Sequence, residues 1–335
     1  MLLQRLGLSA YTKYNNCLYF YERYGLGICK YDNENEMVTV IKDGGGHFFY
    51  KYSDVICCDE KLIFAPYQEE NILIYDLVNS FVEQIPIGEK GYAIKIIKAG
   101  DKFYLIRQKD NYIEFDLDTK IIKTIFFEEK VKCASHSDVC VVDDRVFVPT
   151  SQKGSILEIN LIKCKTALHS LNIDTAFTTI AYANMCFWLS GDNEQIIVWN
   201  PRENNIEKIS MIDDISIRNK IGWRGVYSSS VLIDNDLFFA PLAADSILKI
   251  NVNTKAQSVV MRVPESNISW CICKWDQDEV YISLENAEGL TEMDFVIGVD
   301  GKICRKDVIV IADENCSNII RETQWDSLKY YIENI

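Results

Sequence analysis

The chain has 335 residues, of which 48% are hydrophobic, and its net charge is −14. No apolar run reaches the roughly 18 residues that a membrane-spanning helix needs, and the first residues are too polar for a secretion signal. The acidic balance, with Lys and Arg scattered beside Asp and Glu, argues against nucleic acid and anionic membranes as partners.

The twelve cysteines would suggest a disulfide framework in a small secreted protein. Most of them lie inside predicted strands, where a free thiol acts as a small hydrophobic side chain. The pair Cys271 and Cys273 lacks zinc-finger spacing, and no metal or cofactor is expected. Together with the missing export signal, this predicts free thiols and a cytoplasmic protein.

The first predicted blade covers residues 9–41, with strands at 10–14, 17–22, 27–32 and 37–41. A glycine run, 44–46, and His47 follow it. Glycine permits close backbone approach, but a phosphate-binding loop also needs a strand before it and a helix after it. We interpret this stretch as an inter-blade loop, with His47 as a candidate ligand-binding residue.

The next stretch, 55–86, is the clearest example of a repeated unit. It contains four short apolar runs separated by polar turns, which is typical of a four-stranded antiparallel meander. Tyr67, in its loop between the second and third strands, is another candidate ligand-binding residue.

Two features of this unit recur along the chain. An acidic or amide residue closes each third run: Asp32, Asp76, Asp116, Asn160, Asn200, Asn251 and Asp300. The second runs, each after a polar turn, are 18–20, 62–64, 103–105, 146–148, 186–188, 237–239 and 280–282. The period is about 45 residues, in the range for propeller blades.

We therefore predict an all-β, seven-bladed β-propeller of four-stranded antiparallel blades. Such small sheets bury both faces only against each other, which explains the near-continuous apolar runs. One or two β-sandwiches are the alternative. The predicted blades are 9–41, 54–86, 93–127, 137–169, 177–209, 227–261 and 269–311, within a domain of residues 1–312.

The third blade departs from the repeat at Arg107. Blades two, four and six end their second strand with Pro66, Pro149 and Pro241, which have no N–H for the ladder. Function is expected where a residue departs from the pattern of the repeat, so Arg107 is a candidate ligand-binding residue. The alternative is a solvated hairpin tip.

The longest connection, 210–227, separates blades five and six and contains Trp223 and Arg224. Blade seven has a long hairpin at 285–293. The remaining residues, 313–335, carry an apolar stripe of Trp325, Leu328, Ile332 and Ile335, which predicts a short C-terminal helix.

The turn sequences from Asp116 to Thr119 and from Asn251 to Thr254 resemble those of kelch-type propellers. The kelch Gly-Gly after the second strand is replaced here, for example by Ala65-Pro66. A weaker likeness to WD40 repeats lies in Gly46-His47 and Trp199-Asn200. These resemblances imply a propeller fold and leave the function open, since propellers serve many functions.

The histidines and the loop carboxylates are the candidates for metal binding and acid catalysis. His47 and His136 are expected on the same face, with Cys133 near His136, but their spacing does not match a metal site. His169 is expected on a fourth, outer strand. Carboxylates from different blades could form an acid pair, and the loops between second and third strands carry candidates: Glu69, Glu70, Asp110, Asp192, Asp245 and Glu285.

The favoured hypothesis is a binding or scaffolding module with a protein or peptide partner, or a small-molecule or carbohydrate ligand. The alternative is a propeller hydrolase or lyase that acts on a carbohydrate or small molecule near the central channel. Loops of variable length are expected on one face and uniform turns on the other, which predicts recognition on the variable face. The candidate residues are Trp223, Arg224, Arg107, His47, Tyr67 and His136.

Overall fold

The computed structural model describes residues 10–22, 27–32, 37–44, 51–134, 137–212, 215–217, 225–265, 267–269, 272–276, 279–285, 291–298, 302–305 and 309–312. The chain divides into two compact units. The first comprises Met1–Arg107, Ile113–Lys123 and Asp307–Ile335, and the second comprises Gln108–Tyr112 and Thr124–Lys306.

The first three sheets each contain four consecutive antiparallel strands. Sheet one has β1 (Thr12–Tyr14), β2 (Cys17–Glu22), β3 (Gly27–Asp32) and β4 (Met37–Asp43). Sheet two has β5 (Tyr52–Cys58), β6 (Lys61–Pro66), β7 (Asn71–Asp76) and β8 (Val82–Pro86). Sheet three has β9 (Ala93–Ala99), β10 (Lys102–Arg107), β11 (Asn111–Phe115) and β12 (Ile122–Phe126).

Sheets four to seven repeat the pattern within the second unit. Sheet four has β13 (Cys140–Val142), β14 (Arg145–Pro149), β15 (Ser155–Asn160) and β16 (Lys165–Ser170). Sheet five has β17 (Phe177–Ala183), β18 (Cys186–Gly191), β19 (Gln195–Asn200) and β20 (Asn205–Ser210). Sheet six has β21 (Tyr227–Ile233), β22 (Asp236–Pro241), β23 (Ser246–Asn251) and β24 (Gln257–Arg262), and sheet seven has β25 (Ile272–Asp276), β26 (Glu279–Glu285), β27 (Thr291–Gly298) and β28 (Ile303–Arg305).

This arrangement confirms the predicted all-β, seven-bladed propeller class with four-stranded antiparallel blades. Sheet one gains a fifth strand, β29 (Ile309–Ala312), which pairs in parallel with β4. The described residues contain no helix. They therefore include no helix long and apolar enough to span a membrane. The predicted C-terminal helix, 313–335, lies outside the described residues.

Alternating residues of each strand pack into different cores. On β18, Trp188 packs with residues of sheet six, whereas Phe187 and Leu189 pack with residues of sheet four. In the first unit, Phe64 packs with sheet one and Ile63 with β9 and β10. Successive side chains of a strand point to opposite faces, so a near-continuous apolar run is what a sheet covered on both faces requires.

Hydroxyl groups on the first strands join neighbouring sheets. In the first unit, the Ser53 hydroxyl donates to the carbonyl of Ala93 at 2.7 Å. In the second unit, Thr178 donates to the carbonyl of Tyr227 at 2.7 Å and Ser228 to that of Ser269 at 2.6 Å. One short polar side chain at the same place in the repeat therefore fastens one sheet to the next.

The turns have the local chemistry that the sequence predicted. Asn15, Asn16, Asp59 and Glu60 all have positive φ, as tight two-residue hairpins require. The recurrent residue at the end of the third strand accepts backbone N–H bonds from the following turn: Asp76, Asp116, Asn160, Asn200 and Asn251. These residues therefore have a structural function in the repeat.

The Asp116 turn gives a prediction about acid stability. The backbone N–H and then the side chain of Thr119 lower the pKa of Asp116 in the folded protein. A lowered folded pKa contributes stability above the unfolded pKa, about 3.9, which is lost as the pH falls through the folded value. We expect Asp116→Asn to keep its stability near neutral pH, because Asn251 makes the same bonds, and to flatten the loss of stability in acid.

Urea unfolding at a series of pH values measures this effect. Asp116→Ala is the matched control, because it removes the acceptor and should destabilise the protein at every pH. If Asp116→Asn were as unstable as Asp116→Ala near neutrality, an amide oxygen would not replace the carboxylate as the acceptor in this turn.

Candidate functional site

The connectors between sheets lie against the loops that join second and third strands. In five sheets the first connector residue donates its N–H to a carbonyl of this loop, at 2.7–3.1 Å: Ile87 to Glu70, Phe127 to Asp110, Leu171 to Gly154, Met211 to Glu194 and Val263 to Asp245. In each of these sheets the two kinds of variable loop thus share one end. This is the end at which the sequence predicted recognition.

Arg107 ends β10, as predicted, but its side chain is wholly buried. Its Nε donates to the carbonyl of Gly91 at 2.7 Å. Its Nη2 donates to the carbonyl of Lys90 at 3.2 Å and to the Glu89 carboxylate at 2.7 Å. The alternative of a solvated hairpin tip is therefore wrong, because the connector folds over the guanidinium and supplies acceptors for it.

Tyr67 lies against the same connector. Its carbonyl accepts the N–H of Tyr92 at 2.7 Å, and the two rings meet edge to face with centroids 5.8 Å apart. A Cβ on Gly91 would lie 2.1 Å from the carbonyl oxygen of Pro66, so only glycine fits there. The structure thus brings Tyr67 and Arg107 to one tightly packed connector.

In the second unit, the connector that leads into sheet six is anchored at both ends. Before its undescribed part, Ser216 and Asp245 exchange bonds: the Asp245 N–H donates to the Ser216 carbonyl at 2.9 Å, and the Ser216 N–H donates to the Asp245 carboxylate at 3.2 Å. Ile217 forms an antiparallel bridge with Ala244. Arg262 holds the same carboxylate at 2.7 Å.

After the undescribed part, Val226 anchors the chain again. Its N–H donates to the carbonyl of Gly191 at 2.8 Å. Its carbonyl accepts the consecutive N–H groups of Leu242, Ala243 and Ala244 at 3.0–3.1 Å. The β22–β23 loop of sheet six therefore forms the base of the longest connector.

Four of the predicted site residues, His47, His136, Trp223 and Arg224, lie outside the described residues. Residues 217 and 225, which flank the segment with Trp223 and Arg224, are described. Gly44, at the start of the glycine run, accepts a bond from Lys51 Nζ at 2.7 Å. Ligand binding by the six candidates remains a prediction.

Three of the described candidates for catalysis or metal binding, Asp192, Asp245 and His169, have structural partners. Asp192 accepts the N–H of Ala176 at 3.0 Å, and Asp245 is bound as above. Burial raises the pKa of the Cys133 thiol to about 12. His169 lies on the fourth strand β16, as predicted, and bonds Glu158 at 2.7 Å.

Sequence reasoning missed Asp138. Its N–H donates to the carbonyl of Thr178 in sheet five, and its carboxylate accepts the N–H of Ser230 in sheet six at 2.7 Å. The available signal was the Ser-Asp-Val triplet at 137–139, which repeats the triplet at 53–55. In that earlier triplet Asp54 likewise accepts the N–H of Ile96 in the next sheet at 2.9 Å.

Comparisons with known proteins support the fold class. No protein-family model and no curated protein matches the chain in sequence. The structure of YCF48 bound to D1 peptide has a TM-score of 0.64 at 11% identity, with 86% of this chain and 93% of that chain covered. The computationally designed Ika8 protein has a TM-score of 0.61 at 10% identity, with coverage of 92% and 90%.

PorZ of Porphyromonas gingivalis, a surface component of the type-IX secretion system, has a TM-score of 0.56 at 13% identity. The match covers 91% of this chain but 38% of PorZ. YCF48 and PorZ are propellers, so the chain shares their fold class. The kelch-type and WD40-type likenesses remain predictions.

The buried guanidinium of Arg107 gives the prediction for this site. We expect Arg107→Lys to destabilise the protein by about 2 kcal/mol, because lysine lacks the planar fork that reaches several acceptors at once. Arg145→Lys is the control, since Arg145 pairs with Glu158 with its side chain 52% exposed and should cost under about 1 kcal/mol. If both substitutions lowered the free energy of unfolding in urea by the same amount, the planar guanidinium of Arg107 would not be specifically required.

Proposed function

We propose that the protein is a binding module that recognises a protein or peptide through its connectors and second-to-third-strand loops. The main support is the anchored connector before sheet six, whose two ends are fixed by Asp245, Ala244 and Val226. Binding residues are often carried by loops that a rigid scaffold positions. This connector carries Trp223 and Arg224, two residue types that often dominate binding energy.

The structural neighbours give general support for a protein or peptide partner. YCF48 was solved with the D1 peptide, and another neighbour belongs to the mitotic checkpoint complex. A small molecule or carbohydrate is the second class of ligand. We also propose a cytoplasmic location, on the grounds of the free cysteines that lie in the strands.

No observation among the described residues favours the enzymatic alternative. Two of the candidate carboxylates, Asp192 and Asp245, accept backbone hydrogen bonds from Ala176 and Ser216.

The test is to pan a random peptide library against the immobilised protein and to compare the selected peptides on Trp223→Ala. If Trp223 carries binding, we expect at least a thirtyfold weaker Kd, about 2 kcal/mol, with stability changed by less than about 0.5 kcal/mol. Phe81→Ala is the control, because Phe81 is 63% exposed in a third-to-fourth-strand turn.

Two results would contradict this assignment. A loss of about 3 kcal/mol or more in stability would make Trp223 a buried core residue. Unchanged affinity and unchanged stability would place recognition outside this connector.

A further inference from the structure

Four buried polar atoms around the core between sheets five and six have no hydrogen-bond partner among the protein atoms. They are Trp188 Nε1, Ser190 Oγ, Tyr227 OH and Ser246 Oγ. A fifth such atom of sheet five, Trp199 Nε1, belongs to the core with sheet four. Buried polar atoms in native proteins are nearly always bonded to protein or to ordered water. A group of four such atoms therefore indicates something that the protein atoms alone do not supply.

Strand alternation places the two serines in the same interface. Trp188 of β18 and Leu248 of β23 belong to one core between sheets five and six. Ser190 lies two residues after Trp188, and Ser246 lies two residues before Leu248. Side chains two residues apart share a face, so both hydroxyls point into this interface.

Ser190, Tyr227 and Ser246 lie near the same end of the two sheets. Ser190 is near the end of β18 and Ser246 begins β23, so both are next to the loops that join second and third strands. Tyr227, at the start of β21, packs in the same core. These three residues are thus all near the sheet ends that carry the base of the long connector.

The position of Ser190 is apolar in three other sheets. Strand pairing places Ser190 in register with Ala65 of sheet two, Pro149 of sheet four and Ala240 of sheet six. Those residues place no side-chain hydroxyl in the neighbouring core. A hydroxyl at this position is favourable only if it has a partner.

The chemistry of the surroundings limits what the partner can be. The site offers three hydroxyls, which donate and accept, and one indole N–H, which only donates. The carboxylate whose charge acts on Tyr227, Asp245, is already bound by Arg262 and by the Ser216 N–H. A charged ligand would have no counterion there, whereas a water molecule can both donate and accept.

We propose that at least one ordered water molecule is bound between sheets five and six, where it bridges the hydroxyls of Ser190, Tyr227 and Ser246 and accepts the N–H of Trp188. Buried waters of this kind typically make about three hydrogen bonds to groups that lack another partner. At this site the water molecule connects sheets five and six. The hydroxyls of Thr178 and Ser228, in contrast, donate directly to a carbonyl of the next sheet.

Ser190→Ala, Ser246→Ala and the double variant test this site by urea unfolding. We expect each single substitution to lower the folding equilibrium constant about fivefold, because it removes a bond to the shared water. The double variant should lose clearly less than the product of the two effects, since the second hydroxyl has already lost part of its partner. Ser53→Ala, which removes a direct bond in the first unit, should combine multiplicatively with Ser246→Ala.

Two outcomes of the unfolding test overturn the proposal. Single variants that are as stable as the parent, or more stable, would mean that the hydroxyls have no partner, because alanine then removes only an unsatisfied group. Multiplicative effects in the double variant would mean that the serines do not share a partner. A high-resolution crystal structure should show the water within hydrogen-bond distance of both serines, and a dry interface there would also overturn it.

Discussion

Every sheet of this protein is apolar on both faces, and a four-stranded sheet cannot cover either face by itself. On β23, Ile247 packs toward sheet seven and its neighbour Leu248 packs toward sheet five. Full burial of such a side chain contributes about 1.5–3 kcal/mol, so most of the stability lies between sheets. The repeat, the short connectors and the uniform turns all follow from this need for neighbours.

The same constraint decides where polar residues are allowed. A polar atom between two sheets needs a partner there, since no bulk water reaches it. Ser53, Thr178 and Ser228 meet this requirement with a carbonyl of the next sheet, and Asp138 meets it with the N–H of Ser230. Arg107 is tolerated at full burial because the connector after sheet two supplies its acceptors. These polar residues stabilise the ends of the sheets that carry the variable loops.

The sequence predicted local features well, because strands and turns depend on neighbouring residues. The predicted strands at 17–22 and 27–32 are confirmed as Cys17–Glu22 and Gly27–Asp32. Long-range pairing was not predictable in the same way: nothing in the pattern of Ile309–Ala312 shows that it pairs in parallel with β4. Such a pairing depends on which edge is available, and the sequence period does not contain this information.

The site was predicted only in part, for a related reason. Arg107 was recognised as a departure from the proline rule, but its acceptors come from a connector with no repeat pattern. Ser190 is an ordinary residue in the sequence and becomes informative only once the strand faces are known. Trp223 and Arg224 lie outside the described residues, so their role rests on the sequence and on the anchored ends of their connector.

The central claim is that the sheets are stabilised mainly by their neighbours, and hydrogen exchange on two adjacent core variants tests it most directly. Leu248→Ala should lower amide protection in β18 and β19 of sheet five as well as in sheet six. Ile247→Ala, one residue earlier on the same strand, should instead lower protection in β26 of sheet seven. If both variants loosened sheet six alone and to the same extent, the sheets would be independently stable, and the account would be contradicted.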